Sequence, residues 1–401
     1  MTTFLPVDEQ IAYLTDGVDT MLPEGALREL LEEGRPLRVK LGVDPTAPDV
    51  TLGWAVVFRL LRRFQEMGHT AVLIVGDFTA QVGDPSGKSE TRKRLDSAEV
   101  ESYVSETLDT IKELLMPERL EIRPNTEWLA KMDMQDVLSM TAAVTVARIM
   151  DRDDFSKRWE LHEPISLIEF MYPLLQAMDS VAVEADIEIG GTDQLFNLLV
   201  GRDLQQHHGQ KPQAVVTVPL LVGTDGEKKM SQSLGNYVSV KDTPEEMFGK
   251  TMSIPDHLME QWFVLAAAYR TDAAAEVAAE IASGERHPGD TKRLLAREVV
   301  ALYWGKEAAV AAEAAFDQIF KAKEAPDEMP EVVLDGQAEV FLPALLDNAG
   351  VVASRSEARR LIKQGAVKID GVKVVVESVD AADVVGKVIQ VGKRRFVRAV
   401  S

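Results

Sequence analysis

Two hydrophobic periods alternate along this chain. ALRELLEEG (26–34) places apolar residues three and four apart among acidic ones, within a stretch, 1–35, that follows the same helical spacing. Gly34 suits its C-terminal cap. LRVKLGVD then reads as a strand, DPTAPDV as a turn, and LGWAVVFRLLRRFQEMGH as an amphipathic helix stopping near Gly68. TAVLIVGDFTAQVGDPSG is continuously apolar and then glycine-rich, the pattern of a strand buried on both faces that feeds a loop. EADIEIGG alternates, TDQLFNLLVGRDLQQHHG is helical with Thr192 or Asp193 as its cap, and AVVTVPLLVG is a further buried strand. Strand, turn, helix and strand in this order predict an α/β fold. Its parallel sheet has crossover helices and carries ligand loops at the carboxyl ends of the strands.

Past residue 242 the pattern changes. An Ala-rich helical stretch covers 243–325, a Pro- and acid-rich break (KEAPDEMPEV, 323–332) predicts a linker over 326–338, and 339–401 forms a small tail unit. Charge separates that tail from the rest. It holds 11 Lys+Arg against 7 Asp+Glu, a net of +4, in a chain whose net charge is −21. Such an acidic chain is not one coated in nucleic acid, but it leaves room for a local basic face. Cysteine is absent, which removes disulfides and thiolate chemistry. The six histidines form no ligand pattern with carboxylates, so no protein metal site is expected. No apolar run is long enough to span a bilayer, and MTTFLPVDEQ lacks the basic-then-apolar order of a secretory signal. Together these predict a cytoplasmic protein with no membrane partner.

Five short stretches offer chemistry. DPTAPDVTLGW (44–54) turns sharply into a helix whose first N–H groups are free; alone it reads equally as an ordinary strand-to-helix connection. GDPSGKSETRKR sets Asp84 beside Lys88 and Arg92 without Walker spacing, and suits either a solvated loop or a substrate carrying both ammonium and phosphate. In YPLLQAMD, Tyr172, Gln176 and Asp179 fall at i, i+4 and i+7, one polar stripe among apolar neighbours, as a pocket lining requires. EIGGTDQ ends a strand in two glycines, which admit a nucleotide, with Asp193 placed to accept from ribose hydroxyls. EKKMSQSLGN is a polar loop with cations and serines that can grip an anion.

All five in this order resemble the bacterial tyrosyl-tRNA synthetases, which are class I aminoacyl-tRNA synthetases, and the likeness runs over essentially the whole chain. KMSQS (229–233) is similar to that family's KMSKS loop, and TLGW (51–54) stands where its HIGH motif stands. The resemblance implies a Rossmann-type catalytic domain over 1–242, a helical anticodon-recognising domain over 243–325 and a small α+β RNA-binding domain of the ribosomal-protein type. It implies L-tyrosine, ATP with Mg2+ and tRNA(Tyr) as partners, and a homodimer. Residue by residue, it assigns Asp84, Tyr172 and Gln176 to the tyrosine ammonium and Asp179 to the phenol. Lys40, Asn125 and Gln194 match positions at the tyrosine pocket, Gln194 also lying near the adenylate. Asp44, Gly53, Gly191 and Asp193 match the ATP side. Thr46, Thr51, Trp54, Lys88, Arg92, Lys229 and Ser231 match the groups that handle the reacting phosphates. In the tail, SRSEARRLIKQGAVKIDGVKV displays Arg355, Arg359, Arg360 and Lys363 as one basic face for RNA.

The chain departs from that pattern at three positions. Thr51 and Trp54 replace both histidines of HIGH, and Gln232 replaces the second lysine of KMSKS. Each lost charge-assisted bond is worth about 1.5–3 kcal/mol. Two expectations follow: an active ligase whose Thr51 hydroxyl, Trp54 indole and Lys228 compensate, or a catalytically weak relative that binds tyrosine or RNA in a regulatory role.

Overall fold

The computed structural model describes residues 4–45, 49–84, 97–320, 329–334, 339–392 and 395–400. It separates into two compact units, residues 1–305 and 306–401.

The first unit is built on a six-stranded sheet. Its strands are β1 (Thr20–Leu22), β2 (Arg38–Val43), β3 (Thr70–Val75), β4 (Leu120–Pro124), β5 (Ile187–Gly191) and β6 (Ala214–Val218), in the order β1-β6-β5-β2-β3-β4. β2 to β6 run parallel and β1 closes one edge antiparallel to β6. Val39, Leu41, Ala71, Val72, Leu73, Ile74 and Val75 are all buried, which is why these strands read as apolar runs rather than alternating ones. The crossover helix Leu52–Glu66 buries Leu52, Ala55, Val56, Phe58, Leu60, Leu61 and Phe64, and the chain leaves it through Gly68 at φ +97°.

Strand order reverses between β2 and β5, and the register there decides where a cleft can form. β2 meets β5 only at Val39–Ile187 and Lys40–Glu188, whereas β2 follows β3 as far as Val43–Val75 and β5 follows β6 as far as Gly191–Val218. Beyond Lys40 and Glu188 the two halves of the sheet part. A crevice therefore opens at the carboxyl ends, as expected of a topological switch point. The helices Leu167–Ala182 and Leu195–His207 pack on one another beside it, with Leu174, Ala177, Val200 and Leu204 in their shared core.

Several elements differ from the pattern-based expectation. The first 35 residues are two helices, Val7–Thr15 and Ala26–Glu32, with edge strand β1 between them. TDQ is a 3-10 turn, Thr192–Gln194, ahead of the helix Leu195–His207, and neither Thr192 nor Asp193 caps that helix. The helices Pro244–Met252, Met259–Leu265, Thr271–Ser283 and Pro288–Trp304 belong to the first unit. Trp262 is fully buried there and its indole donates to the Val222 carbonyl at 3.0 Å, pinning the base of the loop that carries KMSQS.

The second unit holds the helix Lys306–Phe320 and a five-stranded sheet in the order Val372–Val374, Val367–Ile369, Val388–Val391, Arg395–Val400, Glu331–Val333. The helices Leu342–Asn348 and Arg355–Lys363 are sealed to the core by Leu342, Leu346, Ala358 and Ile362. Glu331–Val333 corrects the linker expected over 326–338: it pairs in parallel with Arg398–Val400. Three residues beside a proline carry no readable period, so only an open sheet edge reveals them as a strand. Among the described residues, no helix is long and apolar enough to cross a membrane.

Candidate active site

A cavity of about 740 Å³ occupies the crevice at the switch point. Its lining gathers the predicted residues Asp44, Thr51, Gly53, Trp54, Asp84, Tyr172, Gln176, Asp179, Gly191, Asp193, Gln194, Lys229 and Ser231 from five separate stretches of chain. Thr46, Lys88 and Arg92 lie outside the described residues. Lys40 and Asn125 do not line the cavity but stand behind it.

Lys40 is placed differently from the expectation. Its fully buried ammonium lies 2.8 Å from Glu188 Oε1, one strand away at the same register, and donates to the Gln176 carbonyl (2.9 Å) and to Ser180 Oγ (2.8 Å). A charge sealed in the sheet must be paired, and Glu188 is the partner the register supplies. Glu188 also accepts from Gln176 Nε2 (3.2 Å), from Ser180 Oγ (2.9 Å) and from Gln213 Nε2. This cluster fastens the helix Leu167–Ala182 to β2 and β5 and forms the floor of the site.

The helix delivers its polar stripe as the spacing predicted. Asp179 is 3% exposed and accepts from the Trp128 indole at 2.9 Å and from Asn125 Nδ2 at 3.5 Å. Burial pushes its carboxyl up to about 7, against the opposing pull of Lys40 and of these two donors. Tyr172 donates its hydroxyl to Asp44 Oδ2 at 2.8 Å; burial, then the charge of Asp44, raises its phenol well above the usual range, so it remains a donor. Asn125 Nδ2 also donates to Thr79 Oγ1 (3.1 Å), and Thr79 donates to Asp44 Oδ1 (2.8 Å). One hydrogen-bonded line thus joins Asp179 to Asp44. Gly76 is required beside it, because a Cβ there would lie 2.0 Å from Asp44 Oδ1. Trp128, Thr79 and Gly76 escaped the sequence reading; Trp128 stands three residues after Asn125 in NTEW, and Gly76 and Thr79 lie in GDFT, a few residues ahead of GDPSGKS.

At the opposite end, Thr51 caps the helix Leu52–Glu66, accepting from Trp54 N at 3.3 Å, so this helix starts at the cavity wall with its positive end inward. The Trp54 ring stands edge-on to Phe58 at 6.4 Å, and its indole N–H has no partner among the described residues. A Cβ on Gly191 would meet Leu220 at 2.7 Å and Asp193 Oδ1 at 2.8 Å, so glycine keeps this wall thin. Asp193 receives Lys229 Nζ at 2.6 Å. Gln232 donates to the Asp49 carbonyl, while the Asp49 side chain accepts from Tyr237 (2.9 Å) and Ser239 (3.5 Å). A bridge between Thr51 and Ser239 completes a seam between the two loops. Ser231 is held through its N–H to Asn236 Oδ1 (2.8 Å), and Lys228 is exposed. Asp49, Tyr237 and Asn236 were not legible beforehand, since each matters only once the loops meet.

The cavity thus has an acidic, hydrogen-bonded end suited to a phenol and an ammonium, and an opposite end with a helix N-terminus and a lysine suited to phosphate. In the second unit, Arg355, Arg359, Arg360 and Lys363 are all exposed on one short helix. Arg355 pairs with Asp347 (3.3 Å) and Arg359 with Glu377 (3.1 Å), while Arg360 and Lys363 make no ion pair among the described residues.

The profile of the tRNA synthetases class I (W and Y) matches residues 32–321, and that of the S4 domain matches 342–375. The chain is 48% identical over 396 residues to a tyrosine–tRNA ligase of Moorella thermoacetica, covering 98% of this chain and 96% of that protein. It is 49% identical over 391 residues to a tyrosine–tRNA ligase of Mannheimia succiniciproducens, covering 97% of each. Among solved structures, the tyrosyl-tRNA synthetase of Archaeoglobus fulgidus complexed with L-tyrosine matches with a TM-score of 0.62 at 23% identity, over 77% of this chain and 99% of that one. This last likeness concerns the fold alone.

Two measurements check the geometry. Lys40→Met should cost about 3–5 kcal/mol in denaturant unfolding by stranding Glu188, and adding Glu188→Met should recover much of the loss; additive losses would show the pair is not the floor. For Asp179, the folded chain holds its proton up to about pH 7 while the unfolded chain releases it near 4. Stability relative to Asp179→Asn should therefore fall as pH rises from about 4 to about 7, by up to roughly 1.4 kcal/mol per unit, and stay level above. A difference independent of pH would contradict the assignment.

Proposed function

The chain belongs to the class I tRNA synthetases of the tryptophan and tyrosine type, and on that premise we propose that it activates L-tyrosine with ATP and transfers the tyrosyl group to a tRNA. The observation that carries the tyrosine reading is the polar stripe of buried Tyr172 and Asp179 with half-buried Gln176 between them, all lining the cavity, with Asp179 held by Trp128. In this reading the substrate phenol donates to Asp179, and its ammonium lies among Asp84, Gln176 and Tyr172. The adenylate lies along Asp44, Gly191, Asp193 and Gln194. Mg2+ arrives with ATP. Thr46, Lys88, Arg92, Lys229 and Ser231 face the phosphates, together with the helix N-terminus at Thr51 and Gly53.

The tyrosine carboxylate attacks the α-phosphorus, forming the mixed anhydride and releasing pyrophosphate. The terminal ribose hydroxyl of the tRNA then attacks the tyrosyl carbonyl, and AMP leaves. No protein atom forms a covalent bond, so the rate comes from positioning and from charge placed against the phosphates. The Trp54 indole N–H supplies a donor where the family has an imidazole, and the Gly53 N–H is offered to the anion from the helix N-terminus, since the Leu52 N–H already goes to the Val238 carbonyl and the Trp54 N–H to Thr51 Oγ1.

Arg355, Arg359, Arg360 and Lys363 take tRNA phosphates, with Arg360 and Lys363 making no ion pair among the described residues. A homodimer is supported by a concentration of apolar surface. Met134, Leu138, Val146, Trp159, Leu161 and Leu167 are all exposed within one stretch of the chain. We place the reaction in the cytoplasm, where tRNA is charged.

Tyrosine-dependent ATP–pyrophosphate exchange tests the activity: exchange is expected, and its absence at saturating ATP would mean a ligand-binding relative instead. In the same assay Trp54→Phe, which removes only the indole donor and keeps a ring, should lower kcat about tenfold or more with the tyrosine KM unchanged. Asp179→Ala should remove most of the preference for tyrosine over phenylalanine, because a buried carboxylate facing phenylalanine lacks its donor. The family to which this chain belongs is itself the standard illustration of that rule. Survival of the preference would move the phenol elsewhere.

A further inference from the structure

We propose that Asn197, anchored by Arg152, is a positioning residue that sets which end of two site glutamines faces the amino-acid substrate. The proposal rests on the reading that the substrate ammonium lies against Asp84 and Gln176.

Asn197 sits in the first turn of the helix Leu195–His207 and is 1% exposed. Its amide has two N–H donors and one carbonyl acceptor. The carbonyl accepts from Arg152 Nη1 at 3.3 Å, and the two hydrogens of Nδ2 go to Gln176 Oε1 (3.0 Å) and Gln194 Oε1 (3.1 Å). Arg152 is itself immobilised. It is 6% exposed, donates to both oxygens of Asp154 (2.7 and 2.8 Å) and lies 4.6 Å over the Phe155 ring. A guanidinium offers donors only, so it can face only the carbonyl of Asn197. That leaves only N–H to face the glutamines, which turn their oxygens toward it and their own Nε2 groups away. Gln176 Nε2 then donates to Glu188 and Gln194 Nε2 to Asp84, at 3.2 and 3.0 Å.

The direction matters for an ammonium, which has three donors and no acceptor. With the glutamines held this way, Gln176 Oε1 keeps a second lone pair for the substrate, and Gln194 steadies the Asp84 carboxylate. If either amide were reversed, donor would face donor. An apolar side chain at 197 would fill the same space while releasing both amides, so volume alone does not account for a buried amide satisfied by three partners. Chemically, Asn197 selects a substrate that carries an amine beside its carboxylate.

The test compares two ligands by calorimetry, L-tyrosine and 3-(4-hydroxyphenyl)propionate, which keeps the phenol and carboxylate but lacks the ammonium. Their affinity ratio reads the ammonium preference. Asn197→Leu should lower that ratio about tenfold or more, the loss of one charge-assisted hydrogen bond, with the affinity for the propionate unchanged. Arg152→Met should act in the same direction, and Arg152→Lys, which keeps a donor, should restore most of the ratio. Equal weakening of both ligands, or an unchanged ratio, would overturn the proposal. Gln176→Leu separates the two readings. If it leaves the ratio intact, the ammonium assignment fails. If it lowers the ratio while Asn197→Leu does not, the assignment stands and the positioning role fails. Should Asn197→Leu not fold, the two Arg152 variants decide.

Discussion

The buried pair between Lys40 and Glu188 is the constraint on which the catalytic unit depends. It sits at the last register step where β2 and β5 touch, so it closes the sheet below and lets the crevice open above. Two charges taken out of water are stabilising only when every donor and acceptor around them is satisfied. Here the Gln176 carbonyl and Ser180 Oγ accept from Lys40, and Gln176, Ser180 and Gln213 donate to Glu188, while Gln213 Oε1 is the acceptor beside them left without a partner among the described residues. The same bonds locate the helix that carries Tyr172, Gln176 and Asp179. A charge pair that contributes little net stability therefore contributes geometry: it fixes the height of the polar stripe over the sheet.

From that floor the two ends of the cavity are tied together. Asn125 and Thr79 carry hydrogen bonds from Asp179 to Asp44 across the cavity, and Tyr172 returns from the same helix to Asp44. Such a network is costly if one member is missing and rigid when complete. It ties Asp179, Asn125, Thr79, Asp44 and Tyr172 into one set, and a reaction between two substrates depends on such fixed relative placement.

The substitutions in the phosphate-side motifs acquire a structural meaning in this setting. Thr51 caps its helix and bridges to Ser239, and Gln232 holds the Asp49 backbone rather than presenting a second charge. With Tyr237 and Ser239 on the Asp49 carboxylate, the two loops form one seam. Among the described residues, the cation lining the cavity is Lys229, which pairs with Asp193.

The sequence by itself determined what depends on local spacing. Continuous apolar runs specify buried parallel strands, glycines mark turns such as Gly68, and the i, i+4, i+7 spacing of Tyr172, Gln176 and Asp179 puts them on one face whatever that face meets. Only the tertiary structure decided the fates of residues whose partners lie far along the chain. Lys40 read as a pocket residue until strand register set Glu188 beside it. Asp193 read as a helix cap or a ribose acceptor, and its pairing with Lys229 appeared only when the KMSQS loop met it; Glu331–Val333 read as linker until a sheet edge received it. Asn197 gave no signal at all, since its meaning lies in the three side chains around it. Periodicity records which way a side chain points along its own element; the partner it finds is fixed by packing between elements, which no local pattern encodes.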